Sequence, residues 1–413
     1  MARRVVVTGV GLVTPLGTGV AKTWEGLCAG KSGVGPITRF DATDFAVQIA
    51  AEVKDFQVEE FMDAKEAKHL DYFVQYALGA AHMALADSGF VVTEENATRV
   101  GSIVGCGLGG LPTIEKYHQV YLDKGPRRIT PFFIPMVIPN MGAGQISIFH
   151  KVKGPNISPT TACAAGTHAV GEAYRLIADG YCDAAFTGGS ESVICPLAVG
   201  GFNAMKALSK RNDDPQAASR PFDKERNGFV IAEGGGILIL EELEHARARG
   251  ARIYAEMVGY GLSGDGYHIA APPEDGNGAM RCMQMALDDA KMNPEDIDYI
   301  NAHGTSTPLN DVVETRAIKG VFGDHARKLA ISSTKSMTGH MLGGAGGIEA
   351  VFTALSLHHQ IAPPTANLEN PDPECDLDYI PGSARNMKMQ AAMSNSFGFG
   401  GTNAVIIMKR FEG

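Results

Sequence analysis

Among the seven cysteines of this 413-residue chain, one stands apart by its surroundings. In Ile157-Ser158-Pro159-Thr160-Thr161-Ala162-Cys163-Ala164-Ala165-Gly166-Thr167-His168 it sits among small residues. There a β-like segment gives way to an alanine- and glycine-rich amphipathic run that ends at Gly180. A thiol at a helix start faces unpaired N–H groups and the positive end of the dipole, which favour the thiolate, the nucleophilic form. Small neighbours leave room for an acyl group. The competing reading is a buried cysteine that packs as a small hydrophobe.

Two histidines emerge at strand ends. Ile297-Asp298-Tyr299-Ile300 runs into Asn301-Ala302-His303-Gly304-Thr305-Ser306-Thr307. Leu329-Ala330-Ile331-Ser332 runs into Ser333-Thr334-Lys335-Ser336-Met337-Thr338-Gly339-His340, ahead of a helix that starts near Gly343. Either imidazole alone could be an ordinary hydrogen-bonded residue. Two of them at strand ends, one beside an ammonium, together with a helix-start cysteine, suggest convergence. Asp311 and Glu314 share a face of the next helix, where they could bond nearby loops, favour the helix start or pair for acid/base work. Ser394-Asn395-Ser396-Phe397-Gly398-Phe399-Gly400-Gly401-Thr402-Asn403 is a glycine loop with two aromatics. It could present N–H groups to an oxyanion, gate a pocket, or be a plain glycine-rich hairpin. No third ligand has the spacing for zinc, so no zinc or catalytic metal site is expected.

Strands and helices must hold these groups. Val5-Val6-Val7-Thr8 reads as a buried strand opening into Gly9-Val10-Gly11, and Tyr254 to Val258 opens likewise into Gly259-Tyr260-Gly261. The Cys163 turn and helix has a counterpart in Ser333 to Gly347. Ala184 to Gly189 precedes a strand at Gly236 to Leu240, as Ala392 to Asn395 precedes one at Ala404 to Met408. This pattern reads as an internal duplication, residues 1–250 carrying the cysteine and 251–413 the two histidines. Strands alternating with helical patterns imply an α/β layered architecture of mainly parallel sheets, with the site at strand ends.

Met62-Asp63-Ala64-Lys65-Glu66 carries a capping-box pattern, and Leu70, Phe73, Val74, Ala77, Leu78, Ala81 and Leu85 follow at helical spacing. Lys65 and Lys68 fall on the polar side of its first turns. Gly105-Cys106-Gly107-Leu108-Gly109-Gly110 matches G-x-G-x-x-G, but Leu111-Pro112 interrupts the expected helix start and no ribose-binding acid follows. A tight loop against another backbone fits better. Ile129 to Ile138, with Pro131, Phe132, Phe133 and Pro135, is too apolar for a solvent loop and predicts packing against another subunit.

A 45% hydrophobic composition at this length can bury a large core. With 36 basic against 46 acidic residues, the net charge of −10 argues against a nucleic-acid surface, so an anionic partner must meet a local basic patch. The cysteines are scattered, odd in number and lack a Cys-x-x-Cys pair, which speaks against a disulfide framework and for a reducing cytoplasm. Beyond Met1-Ala2-Arg3-Arg4 no apolar stretch approaches the ~18 residues of a membrane span, so neither export nor a membrane anchor is expected.

Thr161 to Gly166, Asn301 to Thr307, Lys335 to His340 and Asn395 to Asn403 together resemble the elongating β-ketoacyl-acyl-carrier-protein synthases of dissociated bacterial fatty-acid synthesis. The resemblance spans nearly the whole chain. It implies a thiolase-like fold, a duplicated five-layer α-β-α-β-α arrangement, a homodimer and no required cofactor. By the same resemblance Cys163 would take the acyl chain from acyl carrier protein as a thioester, its N–H and that of Phe399 forming the oxyanion hole. His303 and His340 would hold the malonyl thioester carbonyl and the enolate formed on decarboxylation. Lys335, paired with Glu349, would order the site, and Phe399 would gate it. Thr305 and Thr307 match the malonyl and pantetheine side, Leu108 and Phe202 the acyl pocket. Lys65, Lys68, Arg127, Arg128 and Lys206 become candidate contacts for the acidic carrier protein, and Asn301, Glu349, Ser394 and Asn395 candidates for a structural monovalent cation.

Five rivals share parts of this pattern, the first of them an initiating synthase, which would show one histidine and an asparagine with the cysteine where His303 and His340 stand here. A polyketide ketosynthase domain sits in a longer chain. A biosynthetic thiolase carries a second cysteine in its C-terminal catalytic loop, whereas Cys375 here lies apart in Pro373-Glu374-Cys375-Asp376. A non-catalytic chain-length partner lacks the nucleophile. A thiol hydrolase would release free acid.

Overall fold

The computed structural model describes residues 3–412; Met1, Ala2 and Gly413 lie outside the described residues, and with them the first two positions of the charged N-terminal stretch. Runs rich in Val, Ile, Ala and Gly make strands buried on both faces. They are β1 (Val5–Thr14), β2 (Val100–Gly105), β3 (Asn156–Ile157), β4 (Ala184–Glu191) and β5 (Gly234–Glu242), then β6 (Ala255–Gly264), β7 (Tyr299–Asn301), β8 (Ala330–Ser332), β9 (Ala391–Gly398) and β10 (Thr402–Lys409). Only β3, at one edge, is exposed along its length.

The strands lie in the order β8-β7-β9-β10-β6-β1-β5-β4-β2-β3. At the centre Val5 to Val7 pairs antiparallel with Ala255 to Met257. Outward from that junction the order is the same on both sides, β1-β5-β4-β2-β3 and β6-β10-β9-β7-β8. On each side the first two pairings are antiparallel and the last two parallel. The sheet is therefore mixed where mainly parallel strands were expected. The reason is the last strand of each side, which returns between the first and the fourth. The β9–β10 link in particular is too short for the crossover that a parallel neighbour needs.

The helices follow the same repeat: α1 (Tyr72–Ser88), α2 (Met141–His150) and α3 (Ala165–Ala178), then α4 (Asn277–Ala290), α5 (Pro308–Phe322) and α6 (Ala345–His359). Helices α1 and α2 cover the outer face of one side; α4, with α5 alongside, covers the other. Between the two sides lie α3 and α6, which touch each other, α3 packing on β2, β4 and β10 and α6 on β4, β5 and β9. This is the five-layer α-β-α-β-α arrangement that the resemblance implied.

Glycine permits the central crossing. A β carbon on Gly166 of α3 would stand 2.6 Å from the Gly347 nitrogen of α6 and 3.0 Å from the Gly343 oxygen. One on Gly347 would reach 2.2 Å from the Gly189 nitrogen of β4. Any side chain there pushes a helix off the sheet.

Two local readings need correction. The capping pattern at Asp63 belongs to a short helix, Ala64–Ala67, whose Lys65 N–H bonds Asp63 at 2.7 Å. The chain then breaks, and α1 starts anew at the Asp71 cap. Lys65 and Lys68 remain exposed, on a separate turn. A helix does begin at Leu111 (Leu111–Lys124), with Pro112 in the first turn, where no N–H is needed. The glycine stretch before it is nevertheless tight: a β carbon on Gly110 would stand 2.4 Å from the Met136 oxygen. Among the described residues all seven cysteines are free, and no helix is long and apolar enough to cross a membrane.

Gly166→Ala is expected to destabilise the fold by about 3 kcal/mol or more, as overpacking against backbone does. Urea unfolding and soluble yield check this. A wild-type midpoint would show that the two central helices can separate freely.

Candidate active site

Cys163 lies in a single 3-10 turn, Ala162–Ala164, just before α3. Ala162 has φ 49°, a left-handed conformation that costs a residue with a β carbon. The same turn recurs before α6 at Leu342–Gly344, with Leu342 at φ 48°. Cys163 is 6% exposed and lines a cavity of about 350 Å³ together with His303, His340, Thr305, Thr307 and Phe399. Burial pushes its thiol up to about 12. The nearby Lys335 ammonium and the Phe399 N–H pull it down, while the Glu191 charge adds to the rise. The helix-start N–H groups do favour the thiolate, as expected, but burial is the larger influence and acts the other way.

His303 and His340 stand edge to face, ring centroids 5.4 Å apart. The first follows β7, and its loop is clamped by Glu314, whose carboxylate accepts from the N–H groups of His303 and Gly304, both at 2.8 Å. Glu314 thus bonds a loop, one of the roles open to it in the sequence; Asp311, beside it, accepts from the Phe222 N–H at 2.9 Å. His340 is held by the segment before β5: its N–H donates to Val230 O at 2.8 Å, and its carbonyl accepts from Ala232 N–H at 3.0 Å. Burial holds both imidazoles well below the ordinary histidine range, Lys335 adding to the effect on each and His340 to that on His303. Both rings are therefore neutral near pH 7. Their Nδ1 atoms are buried and make no hydrogen bond among the described residues.

Lys335 is 1% exposed and paired with the equally buried Glu349. Burial pushes the Glu349 carboxyl upward, against the Lys335 charge. Lys335 does not line the cavity. Its influence on Cys163, His303 and His340 is electrostatic.

The loop between β9 and β10 brings Phe399 to the cavity. At Gly398 a β carbon would stand 2.7 Å from the Thr402 hydroxyl, 3.0 Å from the Thr161 oxygen and 3.2 Å from the Cys163 nitrogen, so glycine lets the loop lie close against the Cys163 backbone. The Thr402 hydroxyl donates to that same Thr161 oxygen at 2.9 Å. Gly400 and Gly401 take φ 82° and 71°.

Other residues singled out in the sequence fall in different places. The hydroxyls of Thr305 and Thr307 bond each other at 2.9 Å on the cavity wall. Phe202 lies outside the lining, its ring 6.4 Å from that of Phe399 and 5.5 Å from that of Phe229. Leu108 is also off the cavity and 42% exposed. Of the basic residues Lys206 sits at the mouth, while Lys65, Lys68, Arg127 and Arg128 are exposed elsewhere. Around Asn301, Glu349, Ser394 and Asn395, all buried, Glu349 Oε2, Ser394 Oγ, Asn395 Oδ1 and Asn301 Nδ2 have no hydrogen-bond partner among the described residues. Orphaned oxygens beside a carboxylate fit a hard monovalent cation. The sequence reading missed Phe229, Asp265 and His268 on the cavity wall. Asp265-Gly266-Tyr267-His268 carried no signal beyond that of a turn. It also missed Glu191.

A histidine depressed in the fold resists a proton that the unfolded chain accepts, so its contribution is full above about pH 6.5 and is lost as pH falls below. Each of His303 and His340 then costs about 1.4 kcal/mol per pH unit below that point. Wild-type protein is expected to lose stability between pH 7 and 5, and His303→Asn or His340→Asn to lose about 2 kcal/mol less over that range. Urea unfolding at the two pH values checks this; parallel losses would mean that the rings are protonated in the fold.

The chain matches the description Beta-ketoacyl synthase, N-terminal domain, over residues 2–246 and Beta-ketoacyl synthase, C-terminal domain, over residues 254–369. It is 55% identical over 410 residues to the 3-oxoacyl-acyl-carrier-protein synthase 2 of Synechocystis sp., and 55% identical over 408 residues to that of Coxiella burnetii. Each match covers 99% of both chains. Among solved structures, a β-ketoacyl synthase from Burkholderia phymatum has a TM-score of 0.92 at 38% identity, covering 99% of this chain and 100% of that one. A type II polyketide acyl carrier protein in complex with its ketosynthase bound to the hexaketide gives 0.90 at 37%, covering 100% of both. With two matched halves, full-length relatives and a cysteine and two histidines on one cavity, this chain belongs to the β-ketoacyl synthase family.

Proposed function

We propose that the chain performs the decarboxylative Claisen condensation that lengthens a fatty acyl chain by two carbons. The single observation that supports it most is the meeting of Cys163, His303 and His340 on one cavity. In the first half-reaction Cys163 sulfur attacks the thioester carbonyl of an acyl-loaded carrier protein. Its proton goes to the departing carrier thiol, and the N–H groups of Cys163 and Phe399 hold the oxyanion. In the second, the bond between the malonyl α carbon and its carboxylate breaks and CO2 leaves. The electron pair goes to the thioester oxygen as an enolate, which neutral His303 and His340 meet as N–H donors. The α carbon then attacks the acyl carbonyl. Cys163 leaves as thiolate and takes a proton from solvent, and 3-oxoacyl carrier protein is released. Lys335 and Glu349 hold the electrostatic balance, and Phe399 gates the entry.

Leu108 and Phe202, the latter beside Phe399, would line the acyl side, and Thr305 and Thr307 the pantetheine side. The substrates arrive on acyl carrier protein, with Lys65, Lys68, Arg127, Arg128 and Lys206 as its contacts. The exposed edge strand β3 and the apolar segment Ile129 to Ile138, with Ile134 59% exposed, favour a homodimer. Free cysteines suit a cytoplasmic protein. Residues 1–250 and 251–413 form the two halves, a division supported by the repeated strand order. The orphaned oxygens of Glu349, Ser394 and Asn395, with Asn301 alongside, would be the residues to hold a structural monovalent cation, which would stabilise the Glu349 carboxylate. The higher identity to fatty-acid synthases than to polyketide ketosynthases favours the former.

Mass spectrometry of the intact protein tests both half-reactions. With carrier protein loaded with a C12 to C16 chain, Cys163 is expected to gain an acyl mass that disappears when malonyl carrier protein is added, as a product two carbons longer accumulates. Discharge as free acid would instead indicate a thiol hydrolase. Cys163→Ala should abolish condensation. His303→Ala and His340→Ala should acylate in a single turnover yet fail to decarboxylate malonyl substrate.

Charge reversal addresses the docking surface. Lys65→Glu and Lys206→Glu are expected to raise KM for carrier-borne substrates and spare small thioester analogues. Equal effects on both substrate types would refute docking there.

A further inference from the structure

The glycine loop Gly105 to Gly110, which has the spacing of a phosphate cradle, is filled from within the protein. Glu191, the last residue of β4, is fully buried. Its Oε2 accepts from the N–H groups of Gly107 at 2.7 Å, Leu108 at 3.2 Å and Gly343 at 3.2 Å. Its Oε1 accepts from Leu108 N–H at 3.2 Å, Gly109 N–H at 3.1 Å and the Cys106 thiol at 3.2 Å. Every partner is a donor, and none is a lysine or arginine. A protonated carboxyl would have to aim its own O–H at an acceptor, and the Cys106 sulfur, a weak one, is all this set offers. Burial pushes the Glu191 carboxyl up, and the donors favour the carboxylate against that push. Successive backbone N–H groups curled in this way form an anion-binding nest.

The nest draws on two distant parts of the chain: the loop that follows β2, and the turn that leads from His340 into α6. Both are glycine for steric reasons. A β carbon on Gly107 would stand 2.6 Å from Glu191 Oε2. One on Gly343 would stand 2.8 Å from the same oxygen and 2.1 Å from the Gly107 nitrogen. Beyond the nest the loop leans on the apolar 129–138 segment, Gly110 N–H donating to Val137 O at 3.1 Å.

We propose that Glu191 is a positioning residue for the condensation, tying the Gly107 to Gly109 loop to the turn after His340 so that the nucleophile's surroundings and the second imidazole keep one register. The proposal rests on the reading of Cys163 and His340 given above. Glu191 touches no reacting atom. It acts through the two backbones it joins, and through a charge close enough to Cys163 to oppose loss of the thiol proton.

Two substitutions separate reach from charge. Glu191→Asp keeps the charge but is one methylene short of spanning both segments; Glu191→Gln keeps the span and loses the charge. Three quantities are measured: condensation with acyl- and malonyl-loaded carrier protein, the rate of Cys163 alkylation by iodoacetamide between pH 7 and 9, and the thermal midpoint. Glu191→Asp is expected to lower kcat tenfold or more, with KM for both carrier substrates and the alkylation rate within about twofold of wild type. Glu191→Gln is expected to alkylate about tenfold faster at any given pH in that range, since removing a nearby anion lowers a thiol pKa by about one unit. Wild-type kcat in Glu191→Asp, or a wild-type alkylation rate in Glu191→Gln, overturns the proposal. Should Glu191→Asp fail to fold, the alkylation rate of Glu191→Gln decides alone. Full condensation by wild-type protein alkylated at Cys163 would instead overturn the reading of the nucleophile, and the proposal with it.

Discussion

Two helices cross at glycine in the middle of this protein, and the active geometry depends on that crossing. Helices α3 and α6 start from the turns that hold Cys163 and follow His340, and each is sandwiched between sheets on both sides. Gly166 and Gly346 meet with no room for a methyl group, since a β carbon on Gly346 would fall 2.3 Å from the Thr167 nitrogen. Close-packed interiors transmit such contacts stiffly. A helix displaced by the width of one side chain would separate the sulfur from the imidazoles by more than catalytic geometry tolerates.

That crossing also explains the electrostatics. Helix starts buried at the centre of five layers see little water, so desolvation decides the charge state of each group: Cys163 stays a thiol and both histidines stay neutral. Lys335 assists the thiolate and opposes imidazolium, a combination suited to a site that must lose one proton and never gain two. An uncharged site has a practical advantage for decarboxylation. On the proposed mechanism, neutral N–H donors would meet the enolate where its charge develops, without attracting the malonyl carboxylate that has to leave.

Much of this was legible in the sequence because the local rules and the fold agree. Cys163, His303, His340 and the Phe399 loop were marked by small residues at strand ends, and the structure brings all four to one cavity. The repeat of strands was visible from Val5 to Val7 and Tyr254 to Val258, which pair at the centre of the sheet. Pairing direction was not visible, because a hairpin return such as Gly398 to Thr402 looks the same in sequence whether it gates a site or merely turns the chain. Nor was Glu191. A carboxylate at the end of an apolar strand has no partner within its own segment, and the five donors that surround it come from positions 106 to 109 and 343. The opposing influence on the thiol was hidden for a related reason: a helix start can be read locally, whereas the depth at which it is buried cannot.

The two halves use the same parts for different ends, and sterics account for the division. Each half has a strand-end loop whose N–H groups are gathered by a buried carboxylate: Glu191 for Gly107, Leu108 and Gly109, and Glu314 for His303 and Gly304. Each has a strained turn before its central helix, with Cys163 and Gly343 in the same place. Gly343 cannot become a second nucleophile, because a side chain there would collide with the Gly107 backbone and with Glu191. At Cys163 the corresponding space opens into the cavity. In the second half the loop carboxylate comes from α5, outside the nest, which leaves room for the His303 ring beside the turn. In the first half it comes from β4, within the nest, and the loop can be little but glycine. One half thus brings a cysteine sulfur to the cavity and the other brings two imidazoles to it, from a single repeated frame.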